Sequence, residues 1–251
     1  MALQAGMGDN LYVDGFDVSG DVGSLNRIAS PMATQDTTPI NLSGVRRLGL
    51  LHDGGIDFSA FWNPGIEADA AHSVLKTLPT SDRVVTYCRG TALGARAASL
   101  VGKQINYDGN RAADGSFTLG VSTQANGYGL EWGQLLTAGK LTQGAAGNGT
   151  GVDLGASPTS FSQGWAAYLH VFAFTGTSIT VKIQDSADNG TFADVTSAAF
   201  TAATAVGSQR ITAGATSTAT VRRYARIVST GTFSNAVFAV NFVRYEAAGH
   251  A

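Results

Sequence analysis

The chain has little that reacts and little that is charged. Cys88 is the one cysteine in 251 residues, so a disulfide framework and a cysteine-rich metal site are both excluded. His52, His72, His170 and His250 are scattered, and none sits at metal-ligand spacing from another histidine or from Cys88. Charged side chains make up 14% of the residues, against about 25% in ordinary soluble domains. A net charge of -2 and a pI near 6.0 argue against a dedicated nucleic-acid binder, which is normally strongly basic. No run approaches the ~18 consecutive apolar residues of a membrane span. The opening MALQAGMGDNLYVDG lacks a basic region followed by an apolar run, and no secretory signal is expected. No Gly-x-Ser-x-Gly elbow occurs, and no Gly-x-Gly-x-x-Gly follows a strand. Neither an enzyme nor a cofactor is expected.

What is present is alternation. From Ser116 to Gln124, Phe117, Leu119, Val121 and Thr123 point one way and Ser116, Thr118, Gly120, Ser122 and Gln124 the other, the period of a strand with one packed and one polar face. Ser99 to Asn106 reads as a preceding strand. Between them NYDGNRAADGS carries the Asp-Gly pairs of a turn, so the spacing predicts a long hairpin with a mobile tip.

The length allows one large or two ordinary domains. Residues 1–10 read as an arm, and Leu11 to Val18 as a strand broken at Asp14-Gly15. Ser30 to Gly44 has two prolines and no periodicity, and a loop is expected over 30–51, of a length usually functional or disordered. Ile56, Phe58 and Ala60 alternate with Asp57, Ser59 and Phe61. Ile66 to Leu78 is the one helix: Ala71, Val74, Leu75 and Leu78 form its apolar stripe, Glu67 and Asp69 suit its first turn, Lys76 suits its last turn, and Pro79 ends it. Arg83 to Arg89 is a strand. Thr137 to Ser160 is rich in Gly, Ala and Thr and marks a domain boundary, with the linker at 151–160. Beyond it, strands at Ala167–Phe174, Ser178–Gln184, Thr191–Val195, Gln209–Ile211, Thr220–Ser229 and Ala236–Tyr245 are separated by turns at Thr175-Gly176, Asp188-Asn189-Gly190 and Thr230-Gly231. Short strands with regular turns indicate a β-sandwich over 161–251.

Several constellations have plain structural readings. Asp185 to Gly190 resembles a calcium loop, but Ala187 and Thr196 stand where that loop needs oxygen ligands, and a hairpin turn fits better. His170 shares a strand face with Tyr168, Phe172 and Phe174 and reads as a satisfied core or interface histidine. Arg222, Tyr224 and Arg226 fall on one strand face. They would serve an anion or glycan contact, or, more simply, a solvated sheet face or salt links between subunits. Acidic side chains outnumber basic ones within residues 1–150, and the remainder is near neutral.

The N-terminal stretch LYVDGFDVSGDVGSL, the long loop, GGIDFSAFWNPG, the helix and QINYDGNRAADGSFTLGVSTQANG together resemble the major tail (tail tube) protein of long-tailed bacteriophages, in particular those of phages infecting actinobacteria. VKIQDSADNGTFADV and RRYARIVSTGTFSNAVFAVNFVRY are similar to the β-sandwich that such proteins often carry outside the tube. The resemblance implies a mainly β fold: a tail-tube-type antiparallel β-sandwich or barrel over 1–150, with a flanking helix and long loop, and an outer sandwich over 161–251. It implies a virion protein, assembled in the bacterial host cytoplasm, whose hexameric rings stack into a tube for DNA. The implied partners are further copies of itself and tape-measure, tail-terminator and distal tail proteins. The long loop would reach a neighbouring ring, with Asp36, Arg46 and Arg47 as contacts. Because each neutralised phosphate adds affinity, a conduit should be lined by uncharged polar groups, and Ser116, Thr118, Ser122 and Gln124 are the candidates. The alternative is a capsid-decoration or adhesion protein that binds host glycans through the C-terminal sandwich.

Overall fold

Asp14 and Gly15 turn the chain back on itself. Their φ values of 50° and 83° are the left-handed pair that a two-residue type I′ hairpin requires, and they join β1 (Asn10–Val13) to β2 (Phe16–Asp17). The computed structural model describes residues 8–65, 70–155, 160–161, 164–213 and 219–245. It is mainly β, with sheets that are antiparallel throughout.

The first half continues with β3 (Val22–Ala29), β4 (Met32–Asp36), β5 (Arg47–His52) and β6 (Gly55–Phe61), then α1 (Ala71–Leu75). It closes with β7 (Arg83–Cys88), β8 (Arg96–Gln104), β9 (Asp108–Arg111), β10 (Phe117–Ala125) and β11 (Glu131–Leu135). One layer runs β1–β7–β8; the other runs β10–β6–β3, and β8 touches both through Gln104, Lys103 and Gly102 opposite Thr123, Gln124 and Ala125. The alternation read from the sequence sets which side chains enter the space between: Leu119, Val121 and Thr123 lie opposite Ala60, Phe58 and Ile56, and all six are buried. Leu11, Val13, Val85 and Leu100 meet them from the other layer.

The helix is shorter than its apolar stripe suggests. Ile66 to Asp69, including Glu67 and Asp69, lie outside the described residues, and helix geometry ends at Leu75 rather than Leu78. The carbonyls that a further turn would use are taken by side chains: Arg83 donates to Val74 O at 2.8 Å and Gln104 to Leu75 O at 2.7 Å. Leu78 is exposed, with φ 43°. At the other end the Ala71 N–H donates to Asp21 at 2.8 Å.

The second half adds β12 (Leu141–Gln143), β13 (Gly147–Asn148), β14 (Val152–Asp153), β15 (Ser160–Phe161), β16 (Trp165–Ser186), β17 (Ala193–Ala199), β18 (Gly207–Thr212), β19 (Val221–Arg222) and β20 (Tyr224–Arg244). The Gly-rich stretch from Thr137 thus lays β12, β13 and β14 along β20. Two expected turns are absent. Thr175-Gly176 and Thr230-Gly231 lie inside β16 and β20, which pair with each other from Trp165–Arg244 to Ser186–Tyr224 with register shifts near Gly176. These glycines serve close approach: a Cβ on Gly231 would sit 2.2 Å from Ser178 O, and one on Gly176 2.4 Å from Phe233 Cα. Leu169 and Val171 before the shift share one core with Ile179, Val181 and Ile183 after it, so the ribbon folds over itself around that core. The Asp188-Asn189-Gly190 turn is present, with Asp188 accepting the N–H groups of Gly190 at 2.9 Å and Thr191 at 3.1 Å.

β11 carries the sheet from one half to the other, with Glu131–Gln134 against Ser99–Arg96 on one side and Gln134–Leu135 against Phe242–Asn241 on the other. Apolar side chains from both halves fill the seam, among them Tyr12, Leu135 and Ala239 in one cluster and Val84, Tyr168 and Val243 in another.

Candidate assembly surface

The outward face of the β10–β6–β3 layer is built mostly from small polar side chains, with the exposed Phe61 and a few charged groups among them. Thr118, Gly120, Ser122 and Gln124 on β10 stand beside Phe61, Ser59, Asp57 and Gly55 on β6. Ser24 and Arg27 of β3 lie opposite Ser59 and Asp57. Asn26 ties the strands together by donating to Ser59 Oγ at 3.0 Å. Arg27 is 3.8 Å from Asp57, so the cation on this face has an anion beside it. Asn110 and Asp108 of β9 continue the row opposite Thr118 and Gly120. Thr118 and Ser122 are half-buried and Gln124 is exposed, all three on this face; Ser116 belongs instead to the β9–β10 turn, where its N–H donates to Asp114 at 2.9 Å.

The layer ends in an open edge at β3 and, beside the stretch of β10 that β8 covers, in another at β9. Among the described residues β3 pairs with β6 alone and β9 with β10 alone, which leaves each with an unpaired row of backbone N–H and C=O groups. Such an edge is a template for another strand.

The expected loop at 30–51 is a β-hairpin: β4 and β5 form a sheet of their own, with Asp36 opposite Arg47. The strand signal was masked because neither face of this hairpin is buried, so no alternation marks it. Met32, Ile40, Leu42, Val45, Leu48, Leu50 and Leu51 are all exposed, Leu51 at 83%. An isolated two-stranded arm with this much exposed apolar surface has the character of surfaces that take partners. Asp36 accepts from Thr38 N–H at 2.8 Å and Thr38 Oγ1 at 2.6 Å, bonds that hold its carboxyl below the usual carboxylate range. Arg46 and Arg47 have no ion-pair partner among the described residues. At the base of the arm, Met32 and Leu50 line a groove of about 780 Å³ together with Trp132, Leu154 and Phe242.

The arginines of the second half are engaged internally. Arg222 makes bonds of 2.9 and 2.6 Å to Asp185 Oδ1, and its N–H donates to Asp185 Oδ2 at 2.7 Å. Arg226 donates to Gln184 Oε1 at 3.0 and 2.8 Å and lies over the Phe192 ring. Arg223 grips Asp153, and this pair, with the Gly155 N–H, holds the Asp153 carboxyl at about 2. Tyr224 carries the Arg223 guanidinium on its ring, at 4.9 Å. The four groups brace the strands that bear them.

Two polar networks that the sequence pattern did not reveal cross the seam. Glu131 of β11 accepts two bonds of 3.1 Å from Arg210, a bond of 2.5 Å from Tyr245 and one from Tyr168. Arg210 also lies 3.6 Å from the Tyr128 ring centroid. His170 forms the second network, linking Gly15 and Thr86. That His170 is a satisfied core or interface histidine on an aromatic face was legible in the sequence; its partners were not, because they come from distant strands. No cluster of three or more His, Cys, Asp or Glu residues that could hold a metal occurs among the described residues. No helix there is long and apolar enough to cross a membrane.

No protein-family model and no curated protein matches the sequence. Among solved structures it is similar to the SPP1 Dit protein, described as a paradigm of hub adsorption apparatus in phages infecting Gram-positive bacteria. The two are 10% identical with a TM-score of 0.36, over 94% of this chain and 99% of that one. It is also similar to a chain of the phage p2 baseplate in its activated conformation with strontium, at 10% identity and a TM-score of 0.36, over 95% and 99% of the two chains. A p2 baseplate chain in the calcium form aligns at 10% identity and 0.35, over 96% and 99%. A likeness this distant fixes neither function nor assembly.

Proposed function

We propose that this protein is a structural component of a long-tailed phage tail, assembling with copies of itself into hexameric rings that stack as a tube for the genome. The observation that carries the reading is the β10–β6–β3 layer, which combines a polar face, its cation Arg27 beside Asp57, with open edges at β3 and β9. Pairing β3 of one copy with the β9 side of the next would close a ring and remove both edges at once. The outward face would then line the bore, where Thr118, Ser122 and Gln124 offer hydrogen bonds and Arg27 has Asp57 beside it to weaken its hold on phosphate. The apolar β4–β5 arm, with Arg46 and Arg47, is suited to reach a neighbouring ring, and tape-measure, tail-terminator and distal tail proteins are the expected further partners. The resemblance of the sequence to tail tube proteins supports the same reading, which implies a virion protein assembled in the host cytoplasm. Glycan adhesion through Arg222, Tyr224 and Arg226 has less support, since both guanidiniums are already hydrogen-bonded within the chain.

Negative-stain electron microscopy of the purified protein over a concentration series tests this. Hollow filaments of stacked rings are expected, at high concentration or after seeding with purified tail tips. Monomers that stay dispersed under both conditions would overturn the tube.

A further inference from the structure

The Asp14–Gly15 turn is wedged against the second half of the molecule, held there by a buried imidazole on Gly15 and by Ser208 on Asp14. His170, on β16, is 1% exposed. Its Nδ1 accepts the Gly15 N–H at 3.2 Å, and its Nε2 lies 2.9 Å from Thr86 Oγ1. Thr86 bonds Ser99 at 2.8 Å, and Ser99 receives Asn241 Nδ2 at 2.8 Å. Because Nδ1 faces a backbone donor, the imidazole carries its one proton on Nε2. A second proton on Nδ1 would point N–H at N–H, and the Gly15 bond would be lost.

The surroundings offer a charged imidazole no compensation. On the turn itself, Asp14 is held by Ser208 Oγ at 2.7 Å and Asp17 by Lys140 at 2.6 Å, while Lys140 lies over the Phe172 ring. β1 contributes Tyr12, whose ring centroid is 5.9 Å away, and β7 contributes the buried thiol of Cys88. On β16, Phe172 stacks on the imidazole, and Tyr168 is committed to Glu131. β18 presents Ser208 and β20 presents Ala239 as the Cα partners of His170, with Arg210 further along opposite Tyr168. Burial holds the imidazole pKa down at about 3, in accord with that geometry.

We propose that His170 is a proton-operated latch: taking up a proton at Nδ1 undocks the Asp14–Gly15 turn from β16 and β18 and loosens the seam between the two halves. The released state exposes His170 to water with an ordinary histidine affinity for protons. The ratio of docked to undocked molecules therefore falls about ten-fold for each pH unit below roughly 6.5, down to the docked value of about 3. This inference is independent of the tube, since it concerns one chain.

Hydrogen exchange of the Gly15 amide between pH 6.5 and pH 4.5, corrected for the intrinsic exchange rate, reads the latch directly. Its protection is expected to drop by about 50-fold in the native protein and in Glu131→Gln, and to stay level in His170→Gln. A flat native profile, or the same drop in His170→Gln, overturns the proposal. If His170→Gln does not fold, nitrogen-detected NMR of the native ring decides. A neutral Nε2–H tautomer at pH 5.5 in the docked state is the expected result, and a docked ring that titrates near pH 6.5 refutes the latch.

Discussion

Gly15 is fixed by two demands at once. Its φ of 83° lies in the left-handed region, and a Cβ there would come within 2.7 Å of the Gly207 backbone and of Val171 O. The first demand was legible, since Asp-Gly between two apolar residues is a hairpin signal; the second was not, because Gly207 and Val171 are distant in sequence. Gly15→Ala is expected to lower stability by roughly 2 kcal/mol or more, measured by urea denaturation at neutral pH. A loss under about 0.5 kcal/mol would show that the turn is not wedged. The same blindness to partners explains the arginines. Arg222 and Arg226 could be placed on a strand, but Asp185 and Gln184 become their partners only through the register of β16 with β20.

At the scale of elements, alternation succeeded wherever a layer has one buried face. β6 and β10 are where they were expected, because Phe58, Leu119 and Val121 must be inside. The reading failed where partner strands override local chemistry. Thr175-Gly176 and Thr230-Gly231 look like turns, yet β16 and β20 extend through them, since each strand supplies the other's hydrogen bonds and glycine permits the contact. The β4–β5 arm was missed for the opposite reason, as it has no buried face to impose a period. That isolation makes the arm testable apart from the fold. Leu48→Asp with Leu51→Asp should leave the thermal midpoint nearly unchanged, each exposed change being worth about 0.5 kcal/mol or less. The same pair should abolish filament formation by electron microscopy. Filaments of normal length from the double variant would remove the arm from assembly.

For the whole molecule, the seam makes stability depend on acid. Folding holds His170 at about 3, while the unfolded chain restores an ordinary value near 6.5. Between those limits the unfolded state binds a proton that the folded state refuses, so stability falls as pH falls, by up to roughly 1.4 kcal/mol per unit. Asp153, held at about 2 by Arg223 and the Gly155 N–H, and Asp188, held at about 2 first by the Gly190 N–H, add a loss only when pH drops from roughly 4 towards 2. Urea midpoints at pH 7, 6 and 5 should therefore already decline, before either carboxylate titrates. A constant midpoint across that range would mean that His170 keeps the same proton affinity folded and unfolded.

β11 gives the order of synthesis a structural meaning. It is made early, but the strand that covers its outer side arrives only with Asn241 and Phe242. At roughly 5–20 residues per second, the nascent first half waits several seconds or more with β11 uncovered and with Ser99 lacking its bond from Asn241. β3 and β9 then stay open, whereas β11 is sealed by the chain's own late residues. Of these three edges the growing polypeptide bares all, and the finished subunit covers one.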